Sequence, residues 1–240
     1  MNAKFQISYD GTAYQGSQTQ PNGLGVEDFL QIAFKQLNIN TKIILSGRTD
    51  KEVHASGQVF NAIIPDFWKD LKKLKEILNK HLPINIRINK ISKVCDDFHA
   101  RYSAKKRVYR YIITTKQLNA FNAKYITYVK NIDEEKISEA IKLFEGIHDF
   151  EYFHKKGSGN KTTIRKVFST NFYKYKDIYV FKFCANGYLR SQIRLMVGFL
   201  LKINEGKLTK KDLLSQLKKE KYIFKTPASA YGLYLAKVYY

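Results

Sequence analysis

The chain has 240 residues, 44% of them hydrophobic, and carries 42 Lys and Arg against 21 Asp and Glu, a net charge of +21. That apolar content argues against disorder, and the uncharged run Leu195–Leu201 falls far short of the about 20 residues a bilayer span needs. A surface this basic attracts polyanions, and the 17 Tyr and 16 Phe add rings that stack on splayed RNA bases or fill a core.

In chain order, Phe5, Ile7 and Tyr9 alternate with Lys4, Gln6 and Ser8, which predicts a half-buried strand over 4–9. No apolar signal region opens the chain, and the two cysteines, Cys95 and Cys184, make neither a disulfide framework nor a zinc cluster. A reducing, cytoplasmic setting is expected. Val26, Phe29, Leu30, Ala33, Phe34 and Leu37 fall at helical spacing. Thr41–Leu45 and Gln58–Ile64 read as strands. Leu71, Leu74, Ile77 and Leu78 mark an amphipathic helix, and Ile84, Ile86 and Ile88 alternate as a further strand. The order is β-α-β-β-α-β.

The second half repeats it. Arg107–Thr115 reads as a strand, and a helix follows over Ile137–Phe144, with Asp133 as N-cap and Gly146 past its end. Thr163–Tyr175 and Ile178–Cys184 read as strands around the turn Lys176-Asp177. A long helix runs from Leu189 to near Gly206, Thr209–Asp212 resembles a capping box, and Gly232–Tyr239 is the closing strand. Linkers are expected at 116–129 and 155–161. The second, Lys-Lys-Gly-Ser-Gly-Asn-Lys, suits a phosphate-following loop as well as a solvated hairpin tip.

Phosphate-loop, dinucleotide, His-Glu-x-x-His and Cys-x-x-Cys motifs are absent, and the five histidines show no metal-ligand spacing. What stands out is Ser46–Gly57, with five ionisable residues in a short loop between strand signals and Gly47 and Gly57 suggesting special backbone angles at its ends. Taken by spacing alone it is a polar turn, in which Asp50 accepts bonds from Thr49 and backbone amides.

Gly47-Arg48-Thr49-Asp50 with Val53-His54-Ala55 resembles the active-site motif of the tRNA pseudouridine synthase A family. So do, in the family's order, Tyr9–Asn22, Phe98–Tyr111, His148-Asp149-Phe150 with Thr163-Ile164-Arg165, Leu189–Gly198 and Gly232–Leu235. Together they span nearly the whole chain. The departures are Lys51-Glu52 where the family usually has Ala-Gly, Ser17 in place of a usual Trp, and Arg190–Ile193. They bear on loop geometry and RNA contacts rather than on the reaction.

The resemblance and the element order together imply an α+β fold. Its two ferredoxin-like halves, 1–104 with the catalytic Asp and 105–240, would join around a mainly antiparallel sheet with helices on one side and a central basic cleft. The implied activity is isomerisation of uridine to pseudouridine at positions 38, 39 and 40 of the tRNA anticodon stem-loop, by a homodimer that needs no cofactor or metal. Asp50 is the implied catalytic carboxylate; it attacks the sugar C1′ or assists glycal formation, for which it must be ionised, a form that neighbouring cations favour. Tyr109 would stack under the flipped uracil, Arg194 would pair with Asp50, Arg48 would hold the base stack open, and Leu233 would wall the pocket. If residues 48–50 were strand, Arg48 and Asp50 would share a face. The rival reading is a non-catalytic RNA-binding module or tRNA chaperone, against which stands the missing RRM aromatic signature.

Overall fold

The structure is a computed structural model describing residues 1–157 and 162–240, so residues 158–161 of the basic 155–161 loop lie outside the described residues. In chain order the elements are β1 Asn2–Tyr9, α1 Val26–Gln36, β2 Ile44–Leu45, β3 His54–Ile63, α2 Leu71–His81, β4 Ile86–Lys93, β5 Lys106–Thr114, β6 Thr127–Tyr128, α3 Glu134–Lys142, β7 Gly146–Asp149, β8 Ile164–Tyr175, β9 Ile178–Ala185, α4 Gln192–Asn204, α5 Lys210–Leu217 and β10 Leu233–Tyr239.

Local chemistry explains most boundaries. Asp70 accepts from the amides of Lys72 and Lys73 and opens α2; Asp133 accepts from the Lys136 amide and opens α3. Thr209 and Asp212 form the full capping box that opens α5. The chain passes α3 and α4 through left-handed glycines, Gly146 (φ +108) and Gly206 (φ +72).

Four expectations are corrected. β2 is two residues rather than five, because the Thr41 hydroxyl, not a strand backbone, accepts the Ile63 amide (3.2 Å). β4 starts at Ile86, since the Ile86 amide closes a turn on the Pro83 carbonyl (3.0 Å) and leaves Ile84 88% exposed. α4 starts at Gln192: Ser191 is left-handed (φ 58) and the Gln192 side chain caps the Leu189 amide (2.8 Å). Two short strands, β6 and β7, were not legible; β6 lies in the expected 116–129 linker, where it pairs with β5.

The chain divides into two compact units, residues 1–105 with 234–240, and residues 106–233. In the first, β1 is antiparallel to both β3 and β4, β2 is antiparallel to β3, and β10 pairs with β3 in parallel through Tyr234↔His54 and Leu235↔Ala55. In the second, β5, β9, β8 and β7 pair in that order, each antiparallel to the next, while β6 runs parallel to β5. The fold is α+β with mainly antiparallel pairing, as expected.

Each unit has its own aromatic core. In the first, Phe5 stacks on Phe60 (centroids 4.5 Å, planes 4° apart) with Phe34 against both. All three are fully buried, and each contributes about 1.5–3 kcal/mol by leaving water. In the second, Phe144, Phe150, Phe153 and Phe199 form a linked set under α3 and α4. α4 is buried on nearly every side, and at Gly198 an added Cβ would meet the Thr226 carbonyl oxygen at 2.5 Å.

Candidate active site

The segment 46–53 leaves β2 and returns into β3 without forming strand itself. Several of its polar groups are satisfied by the body of the first unit. The Ser46 amide donates to Val59 O (2.7 Å) and its hydroxyl to Gln58 Oε1 (2.7 Å), while Gln58 Nε2 donates to Gly47 O (2.8 Å). Ser46 and Gln58 are fully buried. One residue before Asp50, Thr49 is held from three directions. Its amide donates to Ser17 Oγ (2.8 Å), its carbonyl accepts from the Ser17 amide (3.1 Å), and its hydroxyl shares a hydrogen bond with Tyr9 (2.8 Å). The Tyr9 hydroxyl is pushed up to about 12 by burial, against the opposing effect of its hydrogen bonds from Thr49, Gln58 and Ser17, so it stays a neutral phenol at physiological pH.

Asp50 follows, half-buried, and its carbonyl accepts from the Val53 amide (3.2 Å) to close a tight turn. Glu52 takes the left-handed conformation in that turn (φ 65), at one of the two positions where Lys51-Glu52 departs from the family pattern. Arg48 is exposed and Asp50 half-buried on non-strand backbone, so strand alternation does not place them on one face.

β3 begins at His54, four residues before the expected start. His54 is buried, accepts from the Gly11 amide at Nδ1 (3.1 Å), lies 3.3 Å from an Asp10 carboxylate oxygen and stacks on Tyr234 of β10 (4.7 Å). Gly11 and Gly57 are required by close approach: an added Cβ would meet Val53 O at 2.1 Å and Ala236 O at 2.2 Å respectively. Neither Gly47 nor Gly57 has positive φ, which corrects the expectation of special angles at the loop ends.

In the second unit, Tyr109 lies buried on β5 opposite Phe183 of β9, its ring edge-on to Tyr188 (5.2 Å, 81°). The Tyr188 hydroxyl is buried without a hydrogen-bond partner among the described residues, and burial pushes it well above the ordinary phenol range. Arg194 is half-buried on α4; its Nε donates to Ala228 O (2.8 Å) and its own carbonyl accepts from the Ala228 amide (2.8 Å). Leu233 is buried, and its amide donates to Ala230 O (2.9 Å). Among the described residues no group of three or more His, Cys, Asp or Glu is placed to hold a metal ion. The residues that sequence reasoning missed are Tyr9 and Gln58, which support the loop from a distance and carry no local signal.

The sequence matches the tRNA pseudouridine synthase family model over residues 6–103 and 140–240. This chain belongs to the tRNA pseudouridine synthase family. Its similarity to curated members is end to end. It is 42% identical to tRNA pseudouridine synthase A of Campylobacter jejuni strain RM1221 over all of both chains. It is 40% identical to the enzyme of that name from Wolinella succinogenes over 97% of this chain and 92% of that one. The Helicobacter pylori strain 26695 enzyme is 35% identical over 99% and 98%. The chain is thus an isomerase acting on uridine in tRNA, as the resemblance implied. Asp50, Arg48, Arg194 and Leu233 fall within the matched family segments, and Tyr109 falls between them.

Proposed function

We propose that this synthase modifies uridines 38, 39 and 40 of the anticodon stem-loop, with the Asp50 carboxylate as its catalytic group. The observation that carries this reading is the fastening of the loop. Thr49 is fixed by Ser17 and Tyr9, and Gly47 by Gln58, while Asp50 between them and the turn at Val53 keeps part of its surface open. A carboxylate that must meet one sugar carbon gains from such preorganisation.

The N1–C1′ bond breaks, the base turns, and C5 bonds to C1′; the C5 proton is lost and N1 gains one, so the product is an isomer. Asp50 either attacks C1′ or assists glycal formation. Extruding the base from a stem costs a few kcal/mol. Arg48 holds the stack open, Tyr109 supports the uracil from below, Leu233 walls the pocket, and Arg194 neutralises the carboxylate. The enzyme works in the cytoplasm as a homodimer; no helix among the described residues is long and apolar enough to cross a membrane.

Release of tritium from tRNA carrying 5-tritiated uridine tests the reaction, and mapping of the product tests the positions. Asp50→Asn is expected to abolish release while tRNA affinity stays within a few fold. Loss of binding instead would make Asp50 a folding residue and refute its catalytic assignment.

A further inference from the structure

The first unit carries a concave feature, about 160 Å³, at the other end of β1 from the Asp50 loop. It is lined by Lys4 and Gln6 of β1, Val59 of β3, Lys90 and Ser92 of β4, and Lys237 of β10, with Tyr240 at its side. Its position follows from strand alternation. Phe5 and Ile7 are fully buried in the core, so Lys4 and Gln6 point to the opposite face of the sheet. On that face Lys4 pairs with Ser92 and Gln6 with Lys90, which makes Lys4 and Lys90 diagonal neighbours, about 7–8 Å apart by sheet geometry. Lys4 is about five strand residues, roughly 17 Å, from Tyr9, which touches the Asp50 loop.

Three lysine side chains thus line one hollow to which no Asp or Glu side chain contributes. None of the three makes an ion pair among the described residues, although many other lysines do. Two are instead held by rings: Lys4 Nζ lies 5.3 Å from the Tyr240 centroid and 5.7 Å from that of Phe98, and Lys237 Nζ lies 4.6 Å from that of Tyr239. Ring contacts orient a cation without neutralising it. Like charges at diagonal positions repel, and an anion seated between them removes that cost. Ser92 and Gln6 add neutral donors.

We propose that this hollow is a phosphodiester-binding site, which grips the substrate RNA backbone away from the reacting nucleotide. The proposal rests on the tRNA-modifying reading and adds a site to it. It commits to a polyanionic RNA backbone rather than to free phosphate, because several lysines on one sheet face can follow successive phosphates, and each neutralised phosphate releases counterions.

Two measurements test it. In the first, K4A/K90A/K237A is compared with K72A/K73A/K80A, which removes the same three charges from the exposed side of α2. The hollow variant is expected to lower the slope of log affinity for tRNA against log salt by about 2–3 and to weaken binding at least tenfold at moderate salt, relative to the α2 variant. Equal slopes and affinities in the two variants would overturn the site. In the second, lysine acetylation of the wild-type enzyme is read by mass spectrometry. Bound tRNA should slow modification of Lys4, Lys90 and Lys237, and inorganic phosphate at the same phosphate concentration should not. Protection by phosphate alone, or none by tRNA, would refute the assignment. Tritium release by the wild type is scored separately, so an active enzyme whose hollow ignores RNA loses this proposal and keeps the function.

Discussion

Ser17 and Thr49, 32 residues apart, hold each other through both backbone and side chain: the Ser17 hydroxyl accepts the Thr49 amide at 2.8 Å, and the Thr49 carbonyl accepts the Ser17 amide at 3.1 Å. Both residues are buried. The reciprocal pair fixes the backbone immediately before Asp50 without a covalent link, at the position where the family pattern has a large aromatic residue.

Removing the Ser17 hydroxyl strands the buried Thr49 amide. Ser17→Ala is expected to lower unfolding stability by about 1–3 kcal/mol, the cost of an unsatisfied buried donor. Turnover should fall more than apparent tRNA affinity, because a displaced Asp50 loop harms alignment before it harms phosphate contacts. Denaturant unfolding and a kcat-against-KM comparison check it; unchanged kcat in a stable S17A variant would show that the clamp does not align the loop.

Tyr9 predicts an alkaline effect. Its hydroxyl titrates near 10 when unfolded and about 12 when folded, because burial disfavours the phenolate. Between those pH values the unfolded chain has released a proton that the folded chain keeps, so the folded state is penalised as pH rises. Stability is unaffected below about pH 10 and declines from there towards about 12. Tyr9→Phe should make that decline shallower, the raised hydroxyls of Tyr14, Tyr111 and Tyr188 supplying the rest of it, while costing about 1 kcal/mol at neutral pH through the lost Thr49 hydrogen bond. Urea unfolding at a series of alkaline pH values separates the two effects; an equally steep decline in both proteins would remove Tyr9 as its source.

Glu52 sits at φ 65, where a side chain costs about 1–2 kcal/mol relative to the ordinary helical region. Glu52→Gly should therefore be more stable than Glu52→Ala by about 1 kcal/mol, the reverse of the usual order at non-strained positions. Thermal unfolding of the two variants side by side gives the sign directly.

Gly57 faces the β10 backbone so closely that a Cβ would stand 2.2 Å from the Ala236 carbonyl oxygen. Gly57→Ala must separate β3 from β10, and a loss of about 1–3 kcal/mol or more is expected. Because β3 starts at His54 on the same stretch, turnover should drop as well. A variant with wild-type stability would mean that the two strands part freely.

Much of this protein was written in its sequence. The alternation at 4–9, the apolar spacing in α1 and α2, the caps at Asp133 and Thr209 and the turn at Lys176-Asp177 all depend on neighbours within a few residues, so periodicity and side-chain chemistry reveal them. The ordered motifs likewise carried the family and placed Asp50 in a polar loop. Tertiary structure decided the rest. That β3 runs back to His54, that β10 joins it in parallel, that Gly57 is required by a carbonyl rather than by an angle, and that Tyr9, Ser17 and Gln58 tie down the Asp50 loop are contacts between distant segments. Such contacts leave no local period. A hydroxyl at position 17 gives no sign, in the chain alone, that it will meet an amide 32 residues on; the folded chain brings the two within hydrogen-bonding distance.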